Sequence, residues 1–286
     1  MLTALSDGLI TGLILASIAA GFVLVYRASD ILNFAQAQYA MLGAFLYVTY
    51  AQHLPLALAV LAACLTTGAV GAISYLGVIR PMVGQPMFAT VIVTVALGNV
   101  ITDISGVVWG PGQRSVPNFF EHLHLEHFLG LSATNVALLG SGLILAFYGL
   151  LALMLKWSHM GIAMRAAAEN PVLTSTVGIS VTAVYIVAWV TAGIGATLAG
   201  VSFAQQNGVS LGLGDLGLLA FPPLILGGLD SLLGAFIGGI IVGVIDAIVI
   251  TYGNSQAQFA VTYALLLIIL MVRPTGLFGS REVRRI

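Results

Sequence analysis

Residues 231–251 read SLLGAFIGGIIVGVIDAIVIT, with Asp246 the single ionisable side chain in the run. The hydrocarbon core of a bilayer takes about 20 residues of apolar helix, and this stretch supplies them without a break. It reads as a membrane-spanning helix. Its glycines fall as Gly234 to Gly238 and Gly239 to Gly243, a spacing that lets helix backbones approach closely in lipid. That pattern predicts tight packing or a flexing helix beside a pathway.

The rest of the chain extends the reading. Of 286 residues, 59% are hydrophobic and 7% charged, and the mean hydropathy is +1.08. A soluble domain carries about 25% charged residues; with so few, a water-facing surface would be one large apolar patch. Barrel strands would show short alternating segments, whereas the apolar runs here are continuous. The fold class is all-α and integral to the membrane, with about eight or nine transmembrane helices, some of them broken. Spans are predicted near 7–26, 37–52, 56–79, 87–108, 133–155, 180–203, 216–228, 231–251 and 256–272. The 216–228 piece is short and contains Pro222 and Pro223, the pattern of a half-helix or re-entrant segment. Met1 to Asp7 has no basic stretch of the kind that opens a cleaved signal peptide, so the first run is expected to stay as a span. The whole of 1–286 reads as one transmembrane domain.

Orientation follows from Lys and Arg, which favour the cytoplasmic side. Arg27, Arg80, Lys156, Arg165, Arg273, Arg281, Arg284 and Arg285 share one side if the N-terminus is outside, the C-terminus inside and the crossings number nine. The 109–132 loop, with Glu121 and Glu126, then lies outside.

Several chemistries are excluded. A phosphate-cradling P-loop needs a lysine after glycines, and the chain's single lysine, Lys156, stands in Leu155-Lys156-Trp157. No covalent catalyst or cofactor is expected in this chain. Cys64 is alone, without disulfide or zinc spacing, and reads as a buried hydrophobe. The run Glu121 to His127 resembles a metal site in composition but reads as a solvated turn; no metal is expected. Intramembrane polar groups are the stronger lead, because they are costly in lipid and mark function. Asn33, Gln36, Asn99 and Asp246 are the candidates for a solute pathway, with Gln38 adding polarity and Asp103 near the outer end of its span.

Four stretches carry a resemblance: Tyr26-Arg27-Ala28-Ser29-Asp30-Ile31-Leu32-Asn33-Phe34-Ala35-Gln36; Gly161-Ile162-Ala163-Met164-Arg165-Ala166-Ala167-Ala168-Glu169-Asn170-Pro171; Leu226-Gly227-Gly228-Leu229-Asp230-Ser231-Leu232-Leu233-Gly234-Ala235-Phe236-Ile237-Gly238-Gly239; and Arg273-Pro274-Thr275-Gly276-Leu277-Phe278-Gly279. In this order they resemble the branched-chain amino acid ABC transporter permeases of the LivH type, over the length of the chain. Two departures stand out: Asp230 where that family commonly has glycine, and Gln36-Ala37-Gln38 in place of its small-plus-acidic pattern.

The resemblance implies a permease subunit of an importer in the bacterial cytoplasmic membrane, working by alternating access. It implies a second, related permease chain, two ATP-binding subunits that hold ATP and Mg, and an extracytoplasmic solute-binding protein. The solute would be branched-chain or other amino acids; relatives also handle urea and short amides. Segment 161–171 would be the coupling helix, with Gly161, Met164, Arg165, Ala166, Glu169, Asn170 and Pro171 meeting the ATPase. The competing reading is an ion- or proton-coupled secondary carrier using Asp246 and Asp103.

Overall fold

In a computed structural model the described residues are 2–116, 135–253, 255–273 and 275–279, and the architecture is helical throughout. The elements are α1 (Leu2–Ser29), α2 (Gln36–Tyr50), α3 (Leu56–Ser74), α4 (Met87–Trp109), α5 (Asn135–Trp157), α6 (His159–Glu169), α7 (Pro171–Thr176), α8 (Val181–Asn207), α9 (Leu216–Gly227), α10 (Leu232–Tyr252) and α11 (Ser255–Val272). A π turn at Tyr75–Ile79 and a 3₁₀ turn at Arg80–Met82 lengthen α3, and a 3₁₀ turn at Leu211–Asp215 leads into α9. The Glu121–His127 run lies outside the described residues.

Among the described residues, six helices are long and apolar enough to cross a membrane: Ala4–Ser29 of α1, Leu56–Met82, α4, Leu139–Trp157 of α5, α8 and α10. The shorter apolar pieces are Leu211–Gly227 and Ala257–Val272. The helix in the expected span at 37–52 is short: α2 has 15 residues, about 22 Å of helix, and starts inside the bundle.

α1 is the hub. It packs along α8, α9 and α10, and 89% of its spanning window is buried, against 22% for α4. Small residues make the close approaches. A methyl group at Gly12 would lie 2.8 Å from the Gly239 carbonyl oxygen, and one at Gly8 2.8 Å from Val244 Cα. On the other side of α10, Gly234 and Gly238 face the backbone of Gly227 and Pro223 in α9. The two small-residue pairs thus pack against two different neighbours.

The end of α1 decides the rest. Asp30 takes φ 58, the left-handed turn usually reserved for Gly or Asn at a helix end, and its N–H donates to the Tyr26 carbonyl at 2.7 Å. The chain reverses there and returns into the bundle along residues 31–35. At the opposite end, Arg114 and Val209 exchange backbone hydrogen bonds at 2.8 and 2.9 Å, tying the loop after α4 to the end of α8.

Candidate functional site

The returning segment ends in a polar joint. Gln36 Nε2 donates to the Ala192 carbonyl of α8 at 2.9 Å, and Asn33 Nδ2 donates to Gln36 Oε1 at 3.3 Å. Asn33 Oδ1 accepts the Ala35 N–H at 3.2 Å, and Thr94 Oγ1 of α4 donates to the Leu32 carbonyl at 3.2 Å. Both Asn33 and Gln36 are fully buried. The joint is deep. Ala192 is eleven residues into α8, about 16 Å from its start, and Gly21, whose missing side chain leaves room for the Gln36 amide, is eight residues, about 12 Å, before the end of α1.

The physical reason for these residue types is the broken backbone. Residues 31–35 cross lipid depth without helical hydrogen bonds, which a membrane tolerates only where protein or enclosed water covers the chain. Asn33 Oδ1 and Thr94 Oγ1 supply two of the missing partners, to the Ala35 N–H and the Leu32 carbonyl. Below the joint, Phe34 stacks on Phe221 with centroids 5.0 Å apart, and Phe22 meets Phe221 at 5.1 Å. A methyl at Gly217 would lie 2.9 Å from Ala37 Cβ, so the first turn of α9 meets the first turn of α2. Two half-helices begin side by side in the bundle interior.

Asp246 lies elsewhere. It is 1% exposed; Thr262 Oγ1 donates to its Oδ1, and Gln258 Nε2 donates to its Oδ2 at 3.1 Å. Both donors are on α11, so the carboxylate joins two helices. Asn99 and Asp103 are exposed on α4. The four pathway candidates therefore separate into a buried joint (Asn33, Gln36), a buried helix–helix link (Asp246) and an outward face (Asn99). Asp103 and Asp246, paired in the secondary-carrier reading, do not share a site.

The 159–176 segment forms two capped helices. Ser158 Oγ accepts the Gly161 N–H at 3.0 Å to start α6, and Asn170 Oδ1 accepts the Leu173 N–H at 3.0 Å to start α7. Gly161 and Met164 are turned into the core; a side chain at Gly161 would strike the Met154 and Leu155 carbonyls. Arg165 donates to the Leu155 carbonyl. Arg165, Glu169, Asn170 and Pro171 are exposed, and Ala166 is half-buried. Sequence reasoning missed the apolar part of this surface: Ile162, Val172, Leu173 and Val177 are 53%, 71%, 62% and 74% exposed.

Beside this surface opens a cavity of about 810 Å³, lined by the ends of α1, α6, α9 and α11. Arg27, Asp30, Arg165 and Glu169 put both signs of charge on its wall. Near it two of the sequence motifs form a latch: Leu277 and Phe278 donate backbone N–H groups to the Leu226 and Gly227 carbonyls at 2.8 and 3.0 Å. Gly228 (φ 105) and Gly276 (φ 77) adopt backbone that disfavours any side chain, and a methyl at Gly276 would lie 2.6 Å from the Ile225 carbonyl.

Residues 4–272 match the family described as branched-chain amino acid transport system, permease component. The chain belongs to that family. It is 28% identical to the high-affinity branched-chain amino acid transport system permease protein LivH of Escherichia coli (strain K12), over 98% of this chain and 96% of that protein. It is 29% identical to the corresponding protein BraD of Pseudomonas aeruginosa, over 99% and 97%. Among solved structures, PsaBC from Streptococcus pneumoniae in complex with Fab aligns over 94% of this permease and 91% of that chain, with 13% identity and a TM-score of 0.49. Each of the four quoted motifs lies at a joint of the permease: the α1–α2 return, the α6–α7 surface, the α9–α10 turn and the latch.

Proposed function

We propose that this permease is the membrane subunit of an ATP-driven importer that moves amino acids inward, branched-chain amino acids being the favoured class. The family match over 4–272 supports the transport role, and the relatives' stated substrates support the solute class. The observation that carries the reading is the α6–α7 surface. It is a pair of short capped helices outside the apolar spans, anchored to the core by Gly161 and Met164 and presenting Ile162, Val172 and Leu173 with Arg165 and Glu169. Water does not favour such an apolar patch; an ATP-binding subunit covers it. ATP and Mg then reside on two such subunits, and their closure pushes α6–α7 as a rigid body.

The chain crosses the bacterial cytoplasmic membrane nine times as a single domain, N-terminus outside and C-terminus inside, with α2 and α9 as half-length crossings that meet within it. Asn33 and Gln36 hold the break that lets the bundle change its opening. A second, related permease and an extracytoplasmic binding protein complete the assembly. The test is affinity purification from native membranes with a mild detergent. Two ATP-binding chains are expected in the eluate, and they should be lost on replacing Val172 and Leu173 with Ser. A permease that purifies alone in every detergent, and takes up solute in a protonophore-sensitive way, would overturn the reading.

A further inference from the structure

α4 is the least enclosed of the six long helices. Only Thr90, Thr94, Gly98, Ile101 and Ser105, one narrow stripe, are buried along it. The outward side of most helices here is what lipid requires: Leu58, Leu61 and Leu65 on α3, and Phe259, Leu267 and Ile268 on α11. The outward side of α4 also carries apolar residues, Phe88, Ile92, Val95, Val100 and Ile104 among them, but polar groups interrupt it. Asn99 and Asp103, one turn apart on the same face, are both exposed. Asn99 is ten residues from the Trp109 end of α4 and twelve from Met87, about 15 and 18 Å, so it stands near mid-depth. Asp103 is one turn closer to the Trp109 end.

A third polar group from another element lies behind them, against the buried stripe of α4. A methyl at Gly98 would lie 3.1 Å from Gln38 Oε1, and one at Gly214 would lie 3.4 Å from Gln38 Nε2. The Gln38 amide is thus clasped between α4 and the 3₁₀ turn before α9, and its Oε1 is buried without a hydrogen-bond partner. Asp215, next to Gly214, is exposed and is brought to the depth of Gly98 by this contact. Sequence position alone puts Asp215 in an outer loop. Among the described residues, no hydrogen bond or salt bridge engages Asn99, Asp103 or Asp215. The nearest base in sequence, Arg114, is committed to the Trp109 carbonyl at the helix end.

Polar and charged groups at this depth face a protein interior or enclosed water, not lipid. We propose that the outward face of α4 at Asn99 and Asp103, with Asp215 on the 3₁₀ turn that packs against α4, is a wall of the water-filled solute path, and that its carboxylates receive the ammonium end of the passing solute. The inference rests on the importer reading for its opposite wall, which a second permease subunit supplies. It names the chemistry recognised: a cationic ammonium group, because the strip carries acids and amides and no base.

The experiment is thiol labelling in native membranes containing the whole assembly. Cys64, the chain's one cysteine, is buried and is replaced by Ala. Single cysteines are then placed by Asn99→Cys, by Val95→Cys one turn away on the same face, and by Leu65→Cys on α3 as the lipid-facing control. Small cationic and anionic methanethiosulfonates are the probes. Thiolate chemistry needs water, so the two α4 positions should react about tenfold or more faster than the α3 control; focusing by the carboxylates should also favour the cationic reagent by about fivefold to tenfold. Asp103→Asn with Asp215→Asn should bring that ratio close to one. Labelling at both α4 positions no faster than at Leu65→Cys would put this face in lipid and overturn the proposal. A cation preference untouched by the double Asn variant would overturn its acidic chemistry. The labelling needs neither ATP nor bound ATPase, so it fails separately from the importer reading, which stands or falls on co-purification.

Discussion

The Gln36 joint makes a quantitative demand on its neighbour Gly21. The ideal methyl of an alanine at 21 occupies the space of the Gln36 side-chain amide. Gly21→Ala must therefore displace Gln36 from the Ala192 carbonyl or push α1 away from α2. Overpacking of this kind costs about 1–3 kcal/mol. Gln36→Ala alone removes the 2.9 Å bond to Ala192 and the acceptor for Asn33. The Ala192 carbonyl keeps its position in the α8 ladder, so the loss is that of intramembrane hydrogen bonds, about 0.6 kcal/mol each on average and up to about 1.7, plus a cavity.

Combining the two changes puts the new methyl where the amide was. The steric cost of Gly21→Ala then vanishes, and the double variant should be more stable than the sum of the singles predicts, by about 1–3 kcal/mol. Residues in direct contact show coupling of this size. The assay is thermal unfolding of the detergent-solubilised assembly followed by intrinsic fluorescence. At roughly 2–4 °C per kcal/mol, the double variant should sit several degrees above the additive expectation. Strict additivity would refute the packing of Gln36 between α1 and α8 and, with it, the deep return of residues 31–35.

Three further outcomes are expected. Replacing Arg165 or Glu169 with Ala should leave membrane insertion intact and uncouple ATP hydrolysis from uptake, read as ATPase activity that solute and binding protein no longer stimulate; normal coupling in both variants would remove these side chains from the docking surface. Asp246→Leu strands the buried Thr262 hydroxyl, at about 1–3 kcal/mol, and the half-buried Gln258 amide, and should lower uptake more than it lowers the amount of assembled complex; unchanged uptake would reduce Asp246 to packing. Gly276→Val forces a β-branched residue into φ 77 against the Ile225 carbonyl, which should open the latch and raise protease sensitivity near residue 275, a result to be read by limited proteolysis.

The sequence made the spans legible because lipid imposes a length and a composition that any helix must meet. α4, α8 and α10 lie within a few residues of their expected limits, and the short, Pro-bearing 216–228 stretch is the half-helix α9. What escaped was depth. The 37–52 run looks like a crossing on hydropathy alone, but the reversal at Asp30 and the contacts of Gln36 with Gly21 and Ala192 set where α2 begins, and these are tertiary. The motif at 273–279 was visible, yet its partner at 226–228 lies some fifty positions away in sequence, and nothing local indicates that the two pair as backbone. On α6, the residues chosen from the motif included Gly161 and Met164, which serve packing; the exposed Val172, Leu173 and Val177 carry no motif signal, only an apolar character that became informative once their exposure was known.

The central claim, that this permease draws its driving force from ATP-binding neighbours through α6–α7, is tested most directly by reconstitution. Uptake of radiolabelled leucine is measured in liposomes holding either the purified chain or the co-purified assembly, with binding protein outside and ATP and Mg trapped inside. Uptake is expected only by the assembly, only with ATP, and is lost with the Val172→Ser/Leu173→Ser pair. Accumulation by the purified chain alone, driven by an imposed proton or sodium gradient, would contradict it.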